Sequence, residues 1–256
     1  MKDVQNQKDS RNIYLHEVGI RNLKYPVVIR NDKGETFPVT GDVSLFADLE
    51  GDQKGTHMSR FVEVLTQYNH MDLKSIRMLL EEIRERLEAD SSFCKIRFDY
   101  FIRKESPVTG KSSYLTVDVE YNGALRGDEL DFEMTVRTPV TTLCPCSKEI
   151  SEYSAHNQRA IVSITIRTDQ YIWIEDISRI AEESASCPVF SLLKRPDEKY
   201  VTEYAYDHPK FVEDVARDAK MRIDEMEGVQ SYVIEVESLE SIHNHSAYAK
   251  VEGVRC

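Results

Sequence analysis

The sequence predicts an α+β protein built as two tandem modules, each an antiparallel sheet with paired helices on one face. Three observations point there. Strand-like and helix-like segments follow in the order strand, strand, helix, helix, strand, strand, strand, and the second half repeats this gross plan. Neighbouring strand segments are joined by turn-forming residues, which favours antiparallel pairing. The helical segments carry single apolar stripes, as helices laid on one side of a sheet do.

Residues 1–14 are polar and charged and read as an N-terminal arm. The first module is expected over 15–140 and the second over 141–256, the two forming one compact unit. Residues 25–30 read as a strand, Asn31-Asp32-Lys33-Gly34 as a turn, and residues 35–49 as a second strand with rough alternation through Phe37, Val39, Val43 and Leu45. Ser59 is expected to cap a helix running to Tyr68. Leu73, Ile76, Leu80, Ile83 and Leu87 mark a helix over 72–89. Residues 95–103 alternate as a strand, 105–111 turn through Pro107 and Gly110, and two more strands cover 114–121 and 129–137.

In the second half, residues 160–167 form a strand and 173–184 a helix on Ile174, Ile177, Ile180 and Ala181. The charge-dense run 191–204 reads as an exposed loop, although composition leaves its structure undecided. A helix follows over 209–226, with Pro209 near its first turn and Val212, Val215, Ala219, Ile223 and Met226 on its stripe. Strands over 231–238 and 247–251 flank a segment bearing His243 and His245.

At 256 residues, with 41% hydrophobic and 30% charged residues, the chain suits a globular protein with a sizeable core. No apolar run approaches the roughly 20 residues of a membrane span, and the start lacks a signal-peptide core, so a cytoplasmic location is expected. The net charge of -12 argues against nucleic-acid binding. It leaves room for a small anionic substrate in a local basic pocket. Cys94, Cys144, Cys146, Cys187 and Cys256 are odd in number and irregularly spaced, which disfavours a disulfide framework.

The chemistry concentrates in Leu143-Cys144-Pro145-Cys146-Ser147-Lys148-Glu149-Ile150-Ser151 and the following His156-Asn157-Gln158-Arg159. Two thiols, a carboxylate (Glu149) and an imidazole lie between strand-like segments. Pro145 is expected to bar a regular helix and leave a bend. One Cys-x-Cys pair is too little for a closed structural zinc site. With His156, Glu198, His243 or His245 it suits an open metal site instead, in which Zn, Mn and Fe(II) are not distinguished by softness. A metal-free reactive cysteine and inert buried thiols are the competing readings. Lys54, His57 and Arg60 gather at a helix start and suggest an anion site, the bland alternative being a structural histidine. Taken alone, Glu213 is an ordinary surface carboxylate.

These two stretches, together with Lys54-Gly55-Thr56-His57-Met58-Ser59-Arg60-Phe61, Leu193-Lys194-Arg195-Pro196-Asp197-Glu198-Lys199-Tyr200-Val201-Thr202-Glu203 and Ser241-Ile242-His243-Asn244-His245-Ser246-Ala247-Tyr248, resemble the prokaryotic type IB GTP cyclohydrolases. The resemblance covers residues 12–251. It implies a tunnelling fold of two modules per chain and a homotetramer with active sites at subunit interfaces. The implied activity is hydrolysis of GTP to 7,8-dihydroneopterin triphosphate and formate, feeding folate, pterin or queuosine synthesis, with a divalent metal (Zn, Mn or Fe(II)) as cofactor. It further implies Cys144, His156 and Glu198 as metal ligands with His243 or His245, His243 taken as the fourth. Cys146 and Glu149 would be neighbouring catalytic groups, and His243 or His245 proton carriers. Glu213 would anchor guanine. The triphosphate would draw on Lys54, His57, Arg60, Arg103, Lys104, Lys111, Lys194, Arg195 and Lys199. The alternatives are another tunnelling-fold enzyme on a purine, deazapurine or pterin, such as a nitrile reductase with a nucleophilic cysteine, and a binding module without turnover.

Overall fold

The computed structural model describes Gln5 and residues 7–255. The arm expected over 1–14 lies partly outside these residues. The chain runs β1 Leu15–Arg30, β2 Thr36–Leu49, α1 Met58–Leu65, α2 Leu73–Leu87, β3 Ser91–Glu105, β4 Ser112–Arg126, β5 Glu129–Leu143, α3 Pro145–Ile150, β6 Asn157–Thr168, α4 Ile174–Ser184, β7 Cys187–Pro188, α5 Arg195–Asp207, α6 Val212–Glu225, β8 Val229–Ser238 and β9 Ala247–Val254. The strands follow the sheet order β1-β2-β3-β4-β5-β6-β8-β9, with β7 on β5. The pairs β1–β2, β2–β3, β5–β7 and β8–β9 are antiparallel, so the α+β class holds.

By internal contacts the chain divides into one unit of Met1–Phe98, Glu120–Met134 and Thr168–Tyr171, and a second of Asp99–Val119, Thr135–Arg167 and Ile172–Cys256. In the first unit the hairpin turn forms as expected. Asn31 Oδ1 accepts from Lys33 N at 3.1 Å and Glu35 N at 2.8 Å, and Gly34 takes φ 79°. Strand β1 begins at Leu15, inside what reads as polar sequence. Its first half is largely exposed and irregular, with register shifts between Leu15 and Val18 and between Ile20 and Leu23, so no alternation marks it. At Gly19 a Cβ would stand 2.0 Å from the Leu45 carbonyl oxygen, so only glycine allows this approach.

Helix α1 starts at Met58 with His57 as its N-cap, so Ser59 lies within the first turn and is not the cap. Burial of Phe61, Val64 and Leu65 sets this register. Helix α2 starts as expected: Asp72 Oδ1 accepts from Ser75 N at 2.8 Å. Ile76, Leu79, Leu80 and Ile83 are fully buried, each side chain contributing about 1.5–3 kcal/mol. A Cβ at Gly123 of β4 would lie 2.9 Å from Cys94 Sγ and 3.2 Å from Ile76 and Leu80, so glycine sets how closely α2 lies on the sheet.

In the second unit α4 packs on α6, and α6 on β8 and β9. Ile177, Ala181, Val215, Ala219 and Ile223 are buried as the stripes require. The hydroxyl of Tyr232 on β8 donates to Asp224 Oδ1 of α6 at 2.6 Å. Helix α6 begins at Val212 instead of residue 209, because Asp214 Oδ2 accepts from Phe211 N at 3.0 Å and closes the first turn there. The charge-dense run beyond residue 191 is not a loop: from Arg195 it forms α5.

Candidate active site

The candidate site belongs to the second unit and starts where β5 ends. Three bonds fix that end. Ser186 N donates to Thr141 O at 3.1 Å, Leu143 N donates to Ser186 Oγ at 3.1 Å, and Lys210 N donates to Leu143 O at 3.0 Å. The chain then enters the six-residue α3 directly, where the sequence suggested a bend. Pro145 sits in the first turn, where its missing N–H costs nothing and its fixed φ suits the helix. Cys144 takes the N-cap position, and its Sγ accepts from Ser147 N at 3.4 Å.

Ser147 also closes the loop. Its Oγ donates to Cys144 O at 3.1 Å and accepts from His156 N at 3.2 Å, while Cys144 N donates to His156 O at 3.2 Å. Cys144 and His156 are thereby backbone neighbours across the α3 excursion. Cys144 is half-buried and Cys146 exposed. Burial pushes the Cys94 thiol up to about 12 and the Cys187 thiol up to about 11. Those two are protonated packing groups, which leaves Cys144 and Cys146 as the accessible thiols of the described chain.

The His156 ring is held on one side: its Nδ1 lies 2.8 Å from Gln158 Oε1 and 3.4 Å from Ser241 Oγ. Gln158 is fastened in turn by its amide nitrogen, 3.2 Å from Thr142 Oγ1 and 3.4 Å from Glu240 Oε1. Through Ser241 the segment bearing His243 and His245 reaches the His156 ring. Those two imidazoles are exposed and stack on each other with centroids 5.1 Å apart.

Glu198 is exposed on the first turn of α5. It shares a helix face with Val201 and Ala205, at i+3 and i+7, and these pack with Leu143 and Ala155, the residues flanking Cys144 and His156. Glu198 thus stands on the same helix face as the two residues that pack there. Among the described residues, no three His, Cys, Asp or Glu side chains stand close enough to hold a metal ion as they are placed. The sulfur and nitrogen donors of Cys144 and His156 nevertheless fit a divalent transition metal, with an exposed carboxylate and two exposed imidazoles on adjoining segments to complete the set.

Glu149 is exposed on α3, and its neighbour Lys148 donates to the Tyr206 carbonyl and lies over that ring, tying α3 to α5. Glu213 is exposed on the first turn of α6. Arg103 donates to Ser112 Oγ at 3.1 Å. Lys104 is mostly buried, paired with Glu182, bonded to Val189 O at 3.1 Å and set over the Phe190 ring. Lys194 and Arg195 are exposed at the start of α5, and Lys199 pairs with Glu203 at 2.7 Å. Lys54, His57 and Arg60 belong to the first unit. There Lys54 Nζ donates to Gln7 Oε1 at 3.3 Å, and Arg60 donates to the Arg86 carbonyl at the end of α2 at 2.8 Å.

A family model described as type I GTP cyclohydrolase folE2 matches residues 1–249. The chain belongs to that family. A protein named GTP cyclohydrolase FolE2 from Fervidobacterium nodosum is 52% identical over 251 residues, covering 97% of this chain and 96% of that one. Its namesake from Thermosipho africanus is 48% identical over 252 residues, covering 98% and 97%. Among solved structures, the uricase from Arthrobacter globiformis superposes with a TM-score of 0.56 at 7% identity, covering 99% of this chain and 96% of that one. A uricase from Bacillus fastidious gives 0.54 at 9%, covering 96% and 94%. That likeness is of fold alone, and it is the tunnelling fold. Among the described residues no helix is long and apolar enough to cross a membrane.

Sequence reasoning missed several groups that brace Cys144, His156 and the segments around them: Ser147, Gln158, Ser186, Asp197 and Ser241. Asp197 is fully buried beside Glu198. Its carboxylate accepts from Val108 N at 2.9 Å, Thr109 N at 2.8 Å, Thr109 Oγ1 at 2.7 Å and Lys194 N at 2.8 Å. It thus ties the turn before β4 to the start of α5. Its signal was legible as an acid in the first turn beside Pro196.

Burial pushes the Asp197 carboxyl up, but the bonds from Thr109, Lys194 and Val108 together outweigh it and hold the group well below the usual carboxylate range. The folded state therefore holds this proton more weakly than the unfolded chain. The stabilisation is complete above the ordinary aspartate pKa of about 3.9 and is lost as pH falls from there toward the folded value. Asp197→Asn is accordingly expected to melt several degrees below the native protein at pH 7. That gap should narrow below about pH 4, as paired thermal melts would show. An equal gap at both pH values would contradict this account.

Proposed function

We propose that this chain is a GTP cyclohydrolase that converts GTP and water to 7,8-dihydroneopterin triphosphate and formate, supplying folate, pterin or queuosine synthesis in the cytoplasm. The observation that carries the reading is the Cys144–His156 pair, locked side by side at the ends of β5 and β6 in a chain that belongs to this family. In the net reaction two waters enter, one at purine C8 to open the imidazole ring and one to release formate. One water leaves when the rearranged ribose closes the pterin ring.

Cys144, His156, Glu198 and His243 would hold a divalent metal (Zn, Mn or Fe(II)), which when bound supplies a water acidic enough to attack near neutral pH. Around it, His245 or His243 moves protons to and from the opening ring, since histidine titrates near the working pH. Cys146 and Glu149, exposed on α3, would be neighbouring catalytic groups. Glu213 accepts from the guanine N1–H and exocyclic amine. The triphosphate would draw on a subset of Lys194, Arg195 and Lys199 at the start of α5 and of Lys54, His57, Arg60, Arg103, Lys104 and Lys111, with neighbouring subunits contributing. A homotetramer with interfacial sites accounts for the exposed apolar groups beside the site, Ile150 at 83% and Tyr153 at 93% exposure.

The test is GTP turnover by metal-stripped protein with Zn, Mn or Fe(II) restored, following oxidised, dephosphorylated neopterin fluorescence and formate together. Both products are expected, in equal amounts and only with metal. A folded protein that makes neither product with any metal would overturn the reading.

A further inference from the structure

We propose that Gln158 and Glu240 are positioning residues that fix the tautomer of His156, placing its proton on Nδ1 and keeping Nε2 free as the working nitrogen. This rests on the function proposed above only in what Nε2 does, as ligand or as base.

Ionised Glu240 is an acceptor only, and its Oε1 lies 3.4 Å from the Gln158 amide nitrogen. The two ends of a glutamine amide differ: one donates and the other accepts. Glu240 requires the donating end, so the amide nitrogen points to it, with the Thr142 hydroxyl 3.2 Å away as a second acceptor. Thr142 itself is buried and bonded to Ser238 Oγ at 3.1 Å, so this end of the amide is anchored on the sheet. Gln158 Oε1 is then the atom left facing the ring, 2.8 Å from His156 Nδ1.

A carbonyl oxygen cannot donate, so Nδ1 must carry the hydrogen. In the neutral ring the lone pair then belongs to Nε2. The Ser241 hydroxyl, 3.4 Å from both Nδ1 and Gln158 Oε1, can donate to that same oxygen without disturbing the assignment. The relay Glu240–Gln158–His156 is thus directional, and each link follows from the donor or acceptor nature of the one before it. Free histidine favours the opposite tautomer, so the relay performs a selection that the ring would not make alone. Partners of this kind behind a working histidine are typically worth about 10–100-fold in metal affinity or activity.

The experiment reads the ring directly, by nitrogen-15 correlation spectra of the imidazoles in reduced, metal-free protein at a pH where His156 is neutral. Native protein is expected to show His156 as the Nδ1–H form. Gln158→Leu should move it toward Nε2–H, lower kcat for GTP about 10–100-fold on metal restoration and leave KM nearly unchanged. Gln158→Glu keeps an acceptor toward His156 but sets two carboxylates against each other. The double exchange Gln158→Glu with Glu240→Gln restores one carboxylate and one amide, and should recover Nδ1–H and more activity than Gln158→Glu alone. An Nε2–H ring in the native protein overturns the proposal even if Gln158→Leu does not fold, and so does an unchanged tautomer in a folded Gln158→Leu. Native protein that shows Nδ1–H yet never turns over GTP overturns the cyclohydrolase reading while the tautomer assignment stands.

Discussion

Cys144→Ala is expected to lose bound metal and to reduce GTP turnover by at least about a thousandfold, roughly 4 kcal/mol of transition-state stabilisation, while Cys146→Ala keeps its metal. The two thiols are two residues apart, yet α3 treats them differently. Cys144 precedes the helix, is half-buried and sits on the backbone ladder to His156 through Cys144 N and His156 O at 3.2 Å. Cys146 lies within the helix and is exposed. Only Cys144 shares its position with the imidazole that Gln158 orients. The fold should survive the change, because the alanine loses only the acceptor for Ser147 N, a cap contact worth about 1 kcal/mol. Ser147 Oγ, bonded to backbone at Cys144 O and His156 N, still closes the loop. Metal content after gel filtration, measured beside the thermal melt, decides the matter. Metal lost by Cys146→Ala and kept by Cys144→Ala would exchange the two roles.

The elements that were legible in the sequence are those whose burial repeats with a period. Helices α2, α4 and α6 each bury one stripe, and β3 alternates along its length, so spacing alone located them within a few residues. Helix α5 was not legible because it buries little. Only Asp197 and Ala205 are buried along it, and its remaining surface carries tyrosines and charges, so no apolar period emerges. Its start was nevertheless written in Pro196 and the acids at 197 and 198. Pro145 misled for a related reason: proline forbids a helix interior but favours its first turn, and which applies depends on what precedes it. The candidate residues stood out as types in a pattern, and family resemblance supplied their expected roles. The supports did not stand out. Ser186, Thr142 and Ser241 reach Leu143, Gln158 and His156 from distant positions, and a hydroxyl's partner cannot be read from its neighbours in sequence. Gln158 is the exception in principle: two residues past His156 at the start of a strand, it falls on the same face.

Glu213→Ala is expected to weaken GTP binding by at least about a hundredfold with the fold intact. The magnitude follows from losing hydrogen bonds to a charged acceptor, about 1.5–3 kcal/mol each, with 1.4 kcal/mol for every tenfold in affinity. Two features leave Glu213, more than its neighbour, free for this expected role. Helix α6 has two acids in its first turn, and Asp214 is used up as a cap, accepting from Phe211 N at 3.0 Å. Glu213 is exposed between buried Val212 and buried Val215, so its side chain leaves the helix on the face away from the core. The turn that carries it is also tied to the end of β5: Lys210 N bonds to Leu143 O at 3.0 Å, next to Cys144, and Lys210 Nζ is braced by Ser184 O at 2.9 Å and Asp218 at 2.7 Å. Removing an acid from a helix start costs only about 0.3–1 kcal/mol, so the melting temperature should barely move. Glu213→Gln can still accept at N1–H through its carbonyl but presents an amide to the exocyclic amine, and should fall between the two. Titration of GTP or a non-hydrolysable analogue into metal-free protein measures the effect without turnover. Native affinity in Glu213→Ala would pass the guanine to another acceptor, and a loss equal for ATP and GTP would show that the carboxylate does not read the base.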